Sequence, residues 1–112
     1  MEGPAADKGI IPPAILAQIF PNGESQENKL IYCEKVKKHN RYNQAQDRIL
    51  VLSSSAYWLV SSKKIHTKVD IGDLKYVVKA LHSTECLFQF IDDVVIRLSF
   101  TNRDAFFVAY KQ

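Results

Sequence analysis

Basic residues cluster in one short stretch of this 112-residue chain, between two apolar runs, and a smaller basic group follows the second run. Together these groups contain Lys35, Lys37, Lys38, Arg41, Arg48, Lys63 and Lys64. Phosphate groups are bound by several converging Arg and Lys donors, because hydrogen bonds between charged groups are stronger than neutral ones. The chemistry that these residue types indicate is therefore the binding of an anion.

No residue set typical of an enzyme accompanies these cations. The serines at positions 53–55 lack the glycine elbow and the placed base that a nucleophilic serine needs. The chain has four glycines and no glycine-rich phosphate loop, and its histidines and cysteines match no zinc-ligand spacing. We therefore expect a protein without enzymatic activity, with no catalytic residue, no metal ion and no cofactor.

The composition is that of one folded domain. Hydrophobic residues make up 46% and charged residues 24%, which is unlike the composition of a disordered chain. The net charge is only +3, so the position of the charges matters more than their total. We expect a disordered tail at residues 1–8 and a single domain at 9–112. Two scattered cysteines predict buried, reduced thiols and an intracellular protein.

Alternating apolar residues predict seven short strands in a meander. Their expected positions are 30–38, 47–53, 56–61, 65–71, 74–81, 86–91 and 94–100. A short helix at about 12–20 precedes them, because paired prolines can start a helix and the following apolar residues share one helical face. An apolar helix after Thr101 ends the chain. We therefore predict a mostly β fold, an open barrel or two near-orthogonal sheets capped by a C-terminal helix.

Strand alternation predicts how the cations of the first two strands are oriented. Val36 is expected to face inward, and Lys38 has the same parity at the strand end where the barrel opens. Arg48 shares a face with two leucines of the second strand, so it should also point into this opening. Lys35 and Lys37 then point to solvent. The remaining cations should lie around the inward pair, at the same end of the barrel.

Two further patterns concern the neighbourhood of this opening. In the fourth strand, Ile65, Thr67, Val69 and Ile71 alternate with polar residues and are expected on one face. The loop between the first two strands is rich in amides, at Asn40, Asn43, Gln44 and Gln46. Such side chains stabilise turns, and they could also hydrogen-bond inositol hydroxyls. We favour the structural role for these amides.

The stretch from the first to the third strand resembles the start of the class I myosin tail-homology domain, a pleckstrin-homology-like fold. Members of that family have a strand ending in K-V-x-K-x-N-R, a polar loop, an acid–Arg pair, an apolar run, and then a small residue before an aromatic one. The matching residues are Lys35, Val36, Lys38, Asn40, Arg41, Asp47-Arg48, Ile49–Leu52 and Ala56-Tyr57. The later blocks KKIHTKVDIGDLKYVV and RLSFTNRDAFFVAY are similar to later strands and the closing helix of the family.

This resemblance covers roughly residues 29–110 and implies the binding of anionic phospholipids, often phosphoinositides, between the first two strands. By position it implies roles for Lys38, Arg41 and Arg48. Pleckstrin-homology domains that hold headgroups tightly usually carry another basic residue two positions before the strand-two arginine, and this chain has Gln46 there. The resemblance also implies a cytoplasmic location, at a membrane periphery or on the cytoskeleton.

The sequence therefore predicts a non-enzymatic module that binds anionic phospholipid and recruits a larger protein to membranes. The alternative is a protein–protein interaction module of a cytoskeletal or ciliary scaffold, which would bind a peptide between the terminal helix and a strand edge. For that function the expected contacts are Val77 and Val95, which strand alternation places on faces opposite the core. A solvated basic loop without a ligand is a third interpretation. Nucleic-acid binding is not expected, because no array of stacking aromatics accompanies the cations. We expect the isolated domain to be monomeric.

Overall fold

The computed structural model describes residues 8–25, 27–101 and 103–110. A 3₁₀ turn (Lys8–Ile10) and helix α1 (Pro13–Ile19) precede the strands, and helix α2 (Arg103–Tyr110) follows them. The strands are β1 (Leu30–His39), β2 (Ala45–Ser53), β3 (Ala56–Val60), β4 (Ile65–Asp70), β5 (Leu74–Lys79), β6 (Glu85–Phe90) and β7 (Val95–Phe100). This order confirms the predicted succession of short helix, seven strands and terminal helix. Except for Lys8, the predicted tail at 1–8 lies outside the described residues.

The strands form one antiparallel sheet in the order β4-β3-β2-β1-β7-β6-β5. Strand β1 is central and pairs with β2 along its length and with β7 over its last four residues, Val36–His39. Among the described strands, the two edges of the sheet, β4 and β5, do not pair with each other. The chain is therefore mostly β, with a seven-stranded sheet that is not closed and a short helix at each end.

One face of the sheet, called the inner face here, buries a core that is rich in aromatic rings. Phe106 of α2 is completely buried in it, with ring centroids 5.0 Å from Phe100 and 5.7 Å from Phe88. Val36, Leu50 and other alternate residues of β1 and β2 belong to the same cluster. Helix α2 thus closes the core from the inner side, as the apolar pattern after Thr101 predicts.

The inner row of β1 also contains a buried carboxylate, Glu34, which is only 8% exposed. The Tyr32 hydroxyl donates a hydrogen bond to it at 2.5 Å, and the backbone N–H of Thr101 donates another at 2.6 Å. Buried polar groups are tolerated where such partners are available. Burial, and then the neighbouring Glu34, raise the pKa of the Tyr32 hydroxyl. Glu34 therefore links β1, by a hydrogen bond, to the segment just before α2.

The opposite, outer face buries a second core against α1. Ile15 and Ile19 of the helix pack with Cys33, Val51 and Trp58 of the strands. The helix begins at Pro13, where a missing backbone N–H has no cost because the first turn has no partner for it. All five residues of β3 are buried, since this strand has a core on each side. Both cysteines are buried thiols outside any disulfide, as predicted.

The predicted alternation of β4 is wrong at its start. Leu59 pairs with Thr67 but Val60 pairs with Ile65, so a β-bulge inserts His66 as an extra residue. Ile65 therefore packs against the outer cluster with α1, while Val69 packs against the inner core. The physical reason is that the extra residue changes the parity of everything before it in the strand.

A second correction concerns β5. The sequence places Val77 on the face opposite the core, but Val77 pairs with the buried Phe88 and packs against the inner cluster. Its neighbours Tyr76 and Val78 are 54% and 52% exposed instead. The reason is a register irregularity between Leu74 and Tyr76, next to the 3₁₀ turn that precedes the strand.

Candidate functional site

The register of the β1–β2 hairpin brings Lys38 and Arg48 to the inner face. Arg48 lies opposite the buried Val36, and Lys38 lies opposite Gln46. Directly paired residues of antiparallel strands project to the same side of the sheet. On its other side Lys38 is paired with the buried Leu98 of β7. Both side chains are half-buried at the end of the inner core, in a region called the basic mouth below.

Arg48 has hydrogen-bonding capacity that the fold leaves unused. Its Nη1 donates to the backbone oxygen of Asp47 at 2.7 Å. Its Nε is buried, and no atom of the described residues accepts a hydrogen bond from it. An arginine has five N–H donors in a rigid fork, which suits bidentate recognition of phosphate or carboxylate. The guanidinium of Arg48 is therefore the group of the basic mouth whose shape best suits hydrogen bonding to an anion.

His66 shows that cations from three elements lie close together. Its pKa is lowered, first by desolvation and then by the positive charges of Arg48, Lys64 and Lys38. These residues come from β2, from the turn between β3 and β4, and from β1. The bulge is what gives His66 this position, since its neighbour Lys68 lies on the outer face with its ammonium 5.0 Å from the Trp58 ring centroid. The basic mouth thus consists of Lys38, Arg48, Lys64 and His66.

The turn between β3 and β4 holds Lys63 and Lys64 at the rim of this mouth. The backbone N–H of Ser61 donates to the oxygen of Lys64 at 2.9 Å. The Ser61 hydroxyl accepts from the N–H groups of Lys63 and Lys64 at 3.3 and 3.4 Å. Both lysine side chains are exposed, and Lys64 is the one whose charge reaches His66.

The other two cations of β1 lie on the outer face. Lys37 is opposite Asp47 in the register and forms an ion pair with it. The hydrogen bond from Lys37 and its charge lower the pKa of Asp47, with a smaller contribution from Arg48. Lys35 is exposed and lines an open groove of about 450 Å³; among the described residues that line it, Arg48 is the other predicted site cation. The seven predicted site residues therefore do not form one pocket.

Arg41 lies apart from both groups, in the loop at the tip of the hairpin. Its guanidinium carbon is 5.0 Å from the ring centroid of Tyr42, which is 69% exposed. The Asn40 side-chain oxygen accepts from the N–H groups of Tyr42 and Gln44 at 2.9 and 3.0 Å. Asn43 adopts a positive φ of 60° and accepts from Arg97 Nη2 at 2.7 Å. These amides stabilise the turn, which supports the structural role that we favoured for them.

His66 is the functional candidate that the sequence missed. The wide separation of the histidines in the sequence argues against a shared zinc site and gives them no other role. No glycine or proline in β4 signals the bulge, so the alternation pattern gave no reason to place His66 near Arg48. Within the described ranges, no three His, Cys, Asp or Glu side chains are grouped so as to hold a metal ion.

Comparison with known proteins adds information on the fold. No protein-family model matches the sequence, and no curated protein sequence matches it. Among solved structures, the chain is similar to the C-terminal domain of an unknown protein from Leishmania infantum, with a TM-score of 0.66 and 13% sequence identity. The match covers 84% of this chain and 89% of that domain, and at this identity it shows the fold alone.

No helix in the described part of the chain has both the length and the apolar character needed to cross a bilayer.

Proposed function

We propose that this chain is a pleckstrin-homology-like module, without enzymatic activity, that binds anionic phospholipid headgroups at the basic mouth. Its role is then to bring a larger protein to a membrane surface. An open seven-stranded sheet with a closing C-terminal helix supports the fold assignment. The resemblance to the class I myosin tail-homology domain supports both the assignment and the choice of phospholipid as ligand.

One observation carries the proposal: the strand register places Lys38 and Arg48 on neighbouring strands of the same inner face, and their charges, together with that of Lys64, lower the pKa of His66. No carboxylate is among the groups that shift the pKa of this histidine. Like charges held together cost free energy in the unliganded protein, and a bound phosphate relieves that cost. The guanidinium of the half-buried Arg48 has several N–H donors, and a phosphate oxygen would accept a hydrogen bond from those that solvent can reach.

A membrane surface suits the arrangement of the remaining cations. Lys63 is exposed on the turn beside the mouth, and Arg41 is exposed at the tip of the neighbouring hairpin. Near an anionic bilayer each such cation contributes about 1 kcal/mol. The exposed Tyr42 beside Arg41 is amphipathic, and such side chains favour the interface between water and lipid. Gln46, opposite Lys38, provides no additional charge, so we expect weak discrimination between headgroups.

The test is co-sedimentation with vesicles of phosphatidylcholine alone, with added phosphatidylserine, and with added phosphatidylinositol bisphosphate. We expect no binding to the first and binding to the other two. The double variant Lys38→Glu with Arg48→Glu should lose binding to both anionic compositions. A matched control, Lys29→Glu with Lys75→Glu, makes the same change in net charge at exposed sites outside the mouth and should retain binding. Equal binding by the two double variants would show that the mouth is not the site.

A second candidate function, protein–protein interaction, is favoured by a specific feature of the second half of the sheet. On the face opposite the inner core, Tyr76 and Val78 of β5 and Val95 of β7 are 50–54% exposed, with one β6 residue paired between Tyr76 and Val95. Exposed apolar patches of this kind occur at protein interfaces. If the module works through this face, the triple variant Tyr76→Ser, Val78→Ser, Val95→Ser should lose a cellular partner that the Lys38→Glu, Arg48→Glu variant retains.

A further inference from the structure

His66 occupies a position in the basic mouth that strand pairing alone would not give it. The bulge opposite Leu59 and Val60 makes it the extra residue of β4. Every charged group that acts on it is a cation: Lys38 from β1, Arg48 from β2 and Lys64 from the preceding turn. The acid nearest in sequence to Arg48, Asp47, projects to the outer face, where Lys37 neutralises it. The imidazole is itself exposed, so protons and ligands can reach it.

A histidine in these surroundings carries its proton less readily than usual while the mouth is empty. A protonated imidazole would be the fourth positive charge in a site that already holds three. A bound anion reverses this preference, because its negative charge favours the protonated form. Proton uptake and anion binding then strengthen each other by the same factor, as linkage requires.

We propose that His66 makes anion binding at the basic mouth pH-dependent, so that the domain binds anionic lipid more tightly as the pH falls through the range in which histidine becomes protonated. This inference rests on the proposed function, because it needs an anion at the same site. The lowered pKa of His66 in the free protein supports it, since it leaves the imidazole mainly neutral at pH 7. The chemical class recognised is a surface of phosphate groups, with protons as the second ligand.

The probe must keep its own charge while the pH changes. A phosphomonoester does not, because its second ionisation has a pKa of about 6. Phosphatidylglycerol carries a phosphodiester, which stays singly ionised throughout the range in which histidine titrates. Vesicles of phosphatidylcholine with a fixed fraction of phosphatidylglycerol therefore report changes in the protein alone. Binding is measured at about pH 7.5 and about pH 5.5, on either side of the ordinary histidine pKa of ~6.5.

The full 112-residue chain should bind these vesicles about fivefold more tightly at the lower pH, which corresponds to one added cation at ~1 kcal/mol. His66→Gln should lose this increase and retain the affinity that the unmodified chain has at the higher pH. His66→Lys, with a permanent charge, should bind tightly at both values. His82→Gln is the matched control: it removes an exposed histidine of the β5–β6 turn and should retain the increase.

Two outcomes separate this inference from the proposed function. Failure of the unmodified chain to bind phosphatidylglycerol vesicles at either pH would count against the proposed function itself. Binding at both values, with the same pH response in the unmodified chain and in His66→Gln, would overturn the inference alone. An independent readout is the NMR titration of the His66 ring in solution without vesicles: its pKa should rise when soluble short-chain phosphatidylglycerol, which keeps its charge, is added at a saturating concentration. An unchanged or lower pKa would contradict the coupling.

Discussion

The two rows of side chains on β1 end in different ways. The inner row ends on Lys38, beside Arg48 of β2, and no acidic group in the described part of the chain pairs with either of them. The outer row ends on His39, and the cation before it, Lys37, is neutralised by Asp47 from the opposite strand. A single carboxylate, placed one residue before Arg48, thus neutralises the outer cation nearest the hairpin loop and leaves the charges of the inner pair unbalanced. The density of basic residues in the sequence does not reveal this difference, because it counts both rows together.

At the other end of the two rows, called the base here, each face of the sheet packs against a different helix. The inner face packs against α2 through Phe106, and the outer face packs against α1 through Ile15. Both side chains are at most 1% exposed. Each row is therefore apolar near a helix and basic toward the hairpin tip. The two ends of the hairpin differ in charge balance, whereas the two bases have a similar construction.

The similarity of the two bases is tested by Phe106→Ala and Ile15→Ala. Removing these buried side chains should cost about 3–5 kcal/mol and about 2–5 kcal/mol of unfolding free energy, since each leaves a cavity in a packed cluster. Urea denaturation followed by the fluorescence of Trp58, the single tryptophan, measures both. A cost below about 1 kcal/mol for Ile15→Ala would mean that α1 is an attachment to the sheet and the outer face has no true core.

The buried carboxylate of the inner row provides the next test. In Glu34→Ala, the Tyr32 hydroxyl and the Thr101 N–H lose the acceptor that the structure gives them. The expected cost is about 1–3 kcal/mol, which is typical for buried donors left without a partner. Glu34→Gln retains one acceptor oxygen and should cost less.

Lys35→Ala is the matched control for Glu34→Ala, because it changes the next residue of β1 on the exposed outer row. It should stay within about 0.5 kcal/mol of the unmodified chain. The same urea denaturation measures all three variants. Equal costs for Glu34→Ala and Lys35→Ala would contradict the role of Glu34 in joining β1 to α2.

The difference between the two hairpin ends is tested by neutralising one cation on each side. Arg48→Gln should weaken binding to phosphatidylglycerol vesicles at least fivefold, about 1 kcal/mol, because it removes an unbalanced charge from the mouth. Lys37→Gln should weaken it less than about twofold, because Asp47 already balances that charge. Both variants change the net charge by the same amount. Losses of equal size would mean that the domain responds to total charge, and the two rows would then not differ in function.

Much of this arrangement could be predicted from the sequence, because alternation is a local property of a strand. The apolar residues of β1 and β2 are enough to place Lys38 and Arg48 on the inner face. The seven strands and both helices follow in the same way from periodicity and turn residues. What alternation cannot give is which residues of two strands lie opposite each other. That depends on how the 40–44 loop closes, and it decides whether Lys37 meets Asp47 or remains free.

The other misses share this cause. Alternation predicts the wrong faces for Ile65 and His66, because the bulge arises from the pairing of β3 with β4 and neither strand's sequence indicates it. Val77 was placed outside for the same reason, since the irregularity lies in the pairing of β5 with β6. The sequence predicts an apolar face on α1 but not which face of the sheet it covers, because β3 is apolar on both faces and shows no alternation.

The smallest expected effect concerns folding stability and separates His66 from the mouth's permanent cations. The folded state lowers the pKa of His66, by desolvation first and then by Arg48, Lys64 and Lys38. Below the ordinary histidine pKa of ~6.5 the unfolded chain therefore binds more protons at this site than the folded chain does. The contribution of His66 to stability is present above that pKa and is lost as the pH falls through the lowered value.

Replacing His66 should remove this loss, so the unfolding free energy of His66→Gln should rise relative to that of the unmodified chain as the pH falls from about 7.5 to about 5. Urea denaturation at several pH values measures the difference, which cancels the titration of all other groups. A difference that does not change with pH would mean that the charges of Arg48, Lys38 and Lys64 do not affect the imidazole. His66 would then not belong to the basic mouth.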